Sequence, residues 1–134
     1  MIFVDSNIPM YLIGNDEARK RDAQLELERL AVERRQLVTS SEVFQELLHR
    51  YASAERREQL EVAFETLRAI VDEVLSIEEA DVLAAKDVVH AHASMSARDA
   101  IHVAVMRRNQ IEEILSFDRG FDAVTGITRL PAAG

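Results

Sequence analysis

Ile2-Phe3-Val4-Asp5-Ser6-Asn7 begins as an apolar run and stops abruptly at an acid followed by two small polar residues. Such a run reads as a buried strand leaving the core into a polar turn. A helix then starts at Ile8-Pro9, where the fixed φ of proline suits the first turn. Ile114-Leu115-Ser116-Phe117-Asp118 repeats the form: apolar strand, then aspartate. Leu37-Val38, Val74-Leu75-Ser76-Ile77 and Ile127-Thr128-Arg129-Leu130 are further short strand candidates. Between them lie helical patterns. Residues 17–35 place Leu27, Leu30 and Ala31 on one face. Val43, Phe44, Leu47, Leu48 and Tyr51 form another stripe, behind a capping-box pattern at Thr39-Ser40-Ser41-Glu42. Residues 55–71 carry Leu60, Phe64, Leu67, Ile70 and Val71 at the same period, and Glu78 to about His92 is also helical. Ser96-Ala97-Arg98-Asp99 is a second S-x-x-D start. The helix behind it is apolar nearly all round, which predicts a central, buried position. Short strands alternating with helices predict a helix-rich α/β fold with a short, mainly parallel central sheet.

Composition agrees. The chain has 134 residues, the size of one domain spanning 1–134, with 48% hydrophobic and 30% charged residues. Four glycines and two prolines are too few for an all-β fold of many tight turns. The absence of cysteine excludes disulfide scaffolds, thiol catalysis and Cys–zinc sites. The N-terminus has no basic region and meets an acid at position 5, so no signal peptide is expected. No apolar stretch approaches the roughly 18–20 residues of a membrane span. A cytoplasmic protein is the expectation. The net charge of −8 argues against binding nucleic acid by bulk charge. The basic clusters Arg19-Lys20-Arg21, Arg34-Arg35, Arg56-Arg57 and Arg107-Arg108 read first as solvated helix faces.

Two strands delivering an aspartate to one sheet edge place Asp5 and Asp118 where open α/β sheets bind ligands. Glu46 and Asp99 stand in the first or second turn of helices that could reach the same edge. Each acid also has a plain structural reading as a cap. Glu42 fits capping better than Glu46 does. Four unpaired carboxylates in one place repel, and some must bind protons unless a cation lies among them. An all-oxygen donor set suits Mg²⁺ or Mn²⁺. Asn7 and Ser40 are candidates to orient those carboxylates, and Asp122 is a further outer acid.

Glu46-x-x-His49 and Asp99-x-x-His102 also match the Glu-x-x-His element of a di-iron carboxylate helical protein. That reading needs a four-helix bundle and leaves the two strand–aspartate segments without a role. A phospho-acceptor receiver domain needs a paired acid after its first strand and a late lysine. Asp5 stands without an acidic neighbour, and the only lysines are Lys20 and Lys86.

IFVDSN, TSSEVFQELLHRY, SARDAIHVAVM and ILSFDRGFD, in that order and spacing, resemble PIN-domain ribonucleases, and among them the VapC-type toxins of toxin–antitoxin modules. The likeness runs over about residues 1–130. It implies a PIN domain, three layers α/β/α, with the acidic quartet on Asp5, Glu46, Asp99 and Asp118. Asn7, Ser40 and Asp122 fall on accessory positions. It also implies a homodimer, a VapB-type antitoxin covering the acidic site, and RNA as substrate. The expected chemistry is Mg²⁺- or Mn²⁺-dependent phosphodiester hydrolysis. Asp5, Glu46 and Asp99 would hold one ion, and Asp118, with Asp5, a second. A water activated there would leave a 5′-phosphate and a 3′-hydroxyl. A basic rim of Arg98 and Arg119, or of Arg107 and Arg108, would track the RNA.

Overall fold

The computed structural model describes residues 1–131. The chain runs β1 (Ile2–Val4), α1 (Asn7–Ile13), α2 (Glu17–Val32), β2 (Leu37–Ser40), α3 (Ser41–Tyr51), α4 (Arg57–Ile70) and β3 (Glu73–Leu75). It continues through α5 (Glu79–Ala91), α6 (Ala97–Arg108), β4 (Glu113–Leu115), a short 3-10 turn (Arg119–Ala123) and β5 (Thr128–Leu130). The five strands pair in parallel in the order β3-β2-β1-β4-β5. Ile2 lies opposite Leu37 on one side and Glu113 on the other, and Val4 lies opposite Leu115. The expected α/β architecture is therefore present, with every described strand pairing parallel.

β1 is central because its side chains demand it. Ile2, Phe3 and Val4 are all buried, and neighbouring strand residues point to opposite faces, so both faces of β1 are covered. That is the three-layer arrangement. The chain leaves β1 on one side for β2 and β3, then returns to the other side for β4 and β5. Winding reverses at β1, and a crevice opens beyond its carboxyl end. Asp5 is the first residue past that end.

α6 has the predicted central position. Ala100, His102, Val103, Ala104, Val105 and Met106 are buried. It packs chiefly on α5 and touches α3. Arg108, in its last turn, holds buried Asp81 of α5 with Nε at 2.7 Å and Nη2 at 3.0 Å, and Nη2 also donates to Ser76 O. Two helices end on non-glycine residues in the left-handed region, Arg34 (φ 56°) and Gln110 (φ 58°). The next amide then reaches back five residues, Arg35 N to Leu30 O and Ile111 N to Met106 O. These closures turn the chain into β2 and β4, the two strands that flank β1.

The capping box predicted at 39–42 does not form. β2 runs on to Ser40, so Ser40 is buried at the helix N-cap, and its hydroxyl has no hydrogen-bond partner. Thr39 turns to the sheet instead, its Oγ1 donating to Val4 O at 2.9 Å. At the second start, Ser96 Oγ accepts from Asp99 N at 3.1 Å. Among the described residues, no helix is long and apolar enough to cross a membrane.

Candidate functional site

Asp5 is fixed by the sheet itself. Its N–H donates to Leu115 O at 3.0 Å, carrying the β1–β4 ladder one residue beyond β1. Its side chain is only 5% exposed. Oδ1 accepts from Ser6 N at 2.7 Å, and Oδ2 accepts from Ser116 Oγ at 2.6 Å and Asn7 Nδ2 at 3.5 Å. Ser116 Oγ in turn accepts from Asn7 Nδ2 at 3.1 Å and Asp118 N at 3.0 Å. Asn7 Oδ1 accepts from Phe117 N at 3.3 Å. The ends of β1 and β4 are thus joined through one buried hydroxyl and one amide side chain.

Glu46 arrives from α3, one turn beyond the strand that precedes it. Its Oε2 accepts from Ser6 Oγ at 2.9 Å, and its Oε1 is hydrogen-bonded to His102 Nε2. His102 lies one turn after Asp99 on α6 and is fully buried. Its Nε2 stands 3.8 Å from Asp5 Oδ1, and its ring packs on Phe3 with centroids 5.3 Å apart. Asp5, Glu46 and His102 present ligand atoms within 4.8 Å of one another.

The electrostatics follow from this crowding. Burial pushes the Asp5 carboxyl above the usual aspartate range, although His102 and the Ser116 hydrogen bond oppose it. Burial also pushes Glu46 up, but the His102 hydrogen bond and charge, with help from Ser6, outweigh it and hold Glu46 low. Burial disfavours a charged His102, yet the hydrogen bond to Glu46 and the charges of Asp5, Glu46 and Asp99 raise its affinity for a proton. Asp99 is pushed up to about 7, first by burial and then by Asp5, with Asp118 and Glu46 adding to the effect. The four predicted acids therefore act on one another at Asp99, with His102 as the opposing charge.

Asp118 is exposed and caps the 3-10 turn, its Oδ1 accepting from Gly120 N at 2.8 Å. With Asp99 it lines a depression of about 310 Å³ that also holds His92, Ser94 and Met95. Asp122 points elsewhere. Arg129 holds it through Nε at 2.9 Å and Nη2 at 3.2 Å, and donates from Nη1 to Ser116 O at 3.2 Å. Asp122 thus reaches the site through the Arg129 that braces Ser116, and that guanidinium holds its carboxyl low. Ser40 makes no hydrogen bond to any of the four acids. Arg98 shares a depression of about 420 Å³ with Glu46. Arg119 follows Asp118 directly, and its charge is felt by Asp122. Arg107 and Arg108 border a different groove, of about 800 Å³, that contains none of the four acids.

Sequence reasoning left Ser6, Ser116 and His102 outside the site. A polar residue inside the apolar run before Asp118 was the available signal for Ser116. The Asp99-x-x-His102 spacing, which puts both on one helix face, was the signal for His102. That pairing entered instead through the di-iron reading, which the parallel sheet removes. The His49 of that reading is exposed on α3.

The donor set fits a divalent cation of the magnesium type. Asp5, Glu46 and Asp99 offer hard oxygen donors, with Asp118 beside Asp99. Only one buried imidazole among the described residues faces their combined charge, and a cation would offset the burial and repulsion that push Asp99 up.

The PIN domain family matches residues 2–127. Ribonuclease VapC13 of Mycobacterium tuberculosis is 50% identical over 130 residues, covering 97% of this chain and 99% of that protein. Ribonuclease VapC23 of the same species is 38% identical over 118 residues, 88% of this chain and 93% of the relative. The crystal structure of M. tuberculosis VapC20, a sarcin-ricin loop cleaving toxin, superposes with a TM-score of 0.70 at 27% identity, over 92% of this chain and 94% of that one. VapBC2 of Rickettsia felis, crystallised with a promoter DNA fragment, matches in fold at a TM-score of 0.75 and 14% identity, over 96% and 97% of the two chains. The chain belongs to the PIN-domain family and, within it, to the VapC ribonucleases.

Proposed function

We propose that this chain is the toxin of a type II toxin–antitoxin pair, a single PIN domain over residues 1–134 that cuts RNA with the help of Mg²⁺ or Mn²⁺. What supports the reading is the cluster of Asp5, Glu46 and His102, whose ligand atoms lie within 4.8 Å of one another past the strand where the sheet reverses its winding, with the charges of Asp5, Glu46 and Asp118 bearing on Asp99. The 50% identity to a protein named as a VapC ribonuclease supports the reaction class. Asp5, Glu46 and Asp99 would hold one cation, and Asp118, with Asp5, a second. When bound, such ions polarise a phosphoryl group and make water more acidic.

The chain's own groups do the positioning. Ser116 and Asn7 hold Asp5 Oδ2, Ser6 holds Glu46 Oε2, and His102 holds Glu46 Oε1. These contacts set the carboxylates before substrate arrives, so little rearrangement is left for the reaction itself. Hydrolysis on this plan leaves a 5′-phosphate and a 3′-hydroxyl. A VapB-type antitoxin is the proposed partner, a cytoplasmic homodimer the proposed state. Asp5→Asn and Asp99→Asn variants, assayed for RNA cleavage with Mg²⁺ or Mn²⁺ and with chelator, test the reading. Loss of cleavage in both variants and in chelator is expected. Full activity in either variant overturns it.

A further inference from the structure

Two depressions border the acidic cluster, and they differ in charge. The one holding Asp99 and Asp118 is lined by Ala91, His92, Ser94, Met95, Gly120 and Ala123, with no arginine or lysine. The one holding Glu46 is lined by Ser6, Met10, His49, Arg50, Arg56 and Arg98. Three guanidinium groups from three parts of the chain meet there: Arg50 from the end of α3, Arg56 from the turn before α4 and Arg98 from the start of α6. In a chain of net charge −8, that is a local reversal of sign beside the cluster. Arg50 and Arg56 are exposed, and Arg98 makes one long ion pair, Nε to Glu42 Oε1 at 3.9 Å, while its charge also reaches Glu46. Arg108, by contrast, is tied to Asp81.

We propose that this groove seats the RNA backbone, with Arg50, Arg56 and Arg98 taking phosphates next to the one that is cut. Guanidinium groups match phosphate geometry with paired donors, and His49 adds a nitrogen at the rim. The volume, about 420 Å³, lies within the roughly 300–1,000 Å³ of small-ligand sites and leaves room for a nucleotide unit. A basic peptide would be repelled here, which favours RNA over a cationic protein tail. The strand would then enter past Arg98, cross the carboxylates and leave over the side that has no arginine or lysine. The inference rests on the nuclease reading for the identity of its ligand.

The test is binding of a labelled single-stranded RNA oligonucleotide in chelator, as a function of salt. The groove triple variant Arg50→Gln, Arg56→Gln, Arg98→Gln is compared with a remote variant of equal charge change, Arg21→Gln, Arg68→Gln, Lys86→Gln. Each phosphate contact on single strands contributes about 0.7 to the slope of log K against log salt. The groove variant should lower that slope by about 2 and weaken binding at least tenfold. The remote variant should change neither, and the matching Arg→Lys triple should restore the slope. In cleavage assays the groove variant should raise KM while leaving Mn²⁺ affinity, measured by calorimetry, unchanged. An unaltered slope and KM overturn the groove assignment while leaving the nuclease standing. A lowered slope in a protein that cleaves no RNA sinks the nuclease reading and keeps the groove. Absence of RNA binding by the wild type, or loss in the groove variant of an acidic protein partner only, overturns the proposal.

Discussion

His102 Nε2 is hydrogen-bonded to Glu46 Oε1 and stands 3.8 Å from Asp5 Oδ1, so one buried imidazole serves two carboxylates brought from different elements. Removing one partner of a buried charged pair costs about 3–5 kcal/mol, because the other is left uncompensated. His102→Ala should therefore destabilise the metal-free protein by about that amount, and added Mn²⁺ should recover part of the loss. His102→Gln, which keeps a donor, should lose less. Thermal unfolding with and without Mn²⁺ checks both statements. Equal stability of the Ala variant and wild type in chelator contradicts them.

The raised Asp99 sets a pH dependence. With its carboxyl pushed up to about 7, the fold keeps a proton that the unfolded chain releases near 3.8. The folded state then binds more protons across that window, so metal-free stability falls as pH climbs through it and levels off above. His102, raised above 6.5, has the same sign: its stabilisation is full below 6.5 and disappears as pH passes its folded value. Glu46, held below 4.5, has the opposite sign and acts only in more acidic solution. Calorimetry in chelator between about pH 5 and about pH 8 should show declining stability. The slope should be shallower in Asp99→Asn, and the shift caused by added metal should grow with pH.

Ser116 makes three side-chain hydrogen bonds, to Asp5, Asn7 and the Asp118 amide. Ser116→Ala leaves these groups short of a partner in a buried setting, worth about 1–3 kcal/mol. Cleavage should drop as well, because Asp5 Oδ2 and the backbone carrying Asp118 lose a common anchor. Denaturant melts together with initial cleavage rates read the two effects separately.

Asp118 and Asp122 should separate cleanly. Asp118 shares the cleft with Asp99, whereas Asp122 is paired with Arg129. Asp118→Asn should cut RNA hydrolysis strongly at little cost to stability. Asp122→Asn should lower the melting temperature and leave cleavage near the wild-type level. Similar activity losses in the two would contradict the placement of Asp122.

The fold was legible because its strands end on acids: an apolar run that stops at Asp5, and another before Asp118, announced both the sheet and the edge that matters. Glu46 and Asp99 were legible as acids near helix starts. His102 shares a helix face with Asp99 by spacing, but its helix is apolar on nearly all sides, so the sequence does not show that this face meets α3. That depends on how α6 crosses α3, a long-range property. The capping box at 39–42 misled for a related reason. Local side-chain chemistry favours it, but pairing with β3 extends β2 through Ser40 and overrides it.

The backbone hydrogen bond from Asp5 to Leu115 has a mechanical meaning. A carboxylate on a loop could swing outward and ease the mutual repulsion of its neighbours. Here the anion is riveted to the middle of the molecule, so it cannot retreat without tearing the innermost seam. The discomfort of like charges is thereby locked into the resting protein, ready to be released when a counter-ion settles.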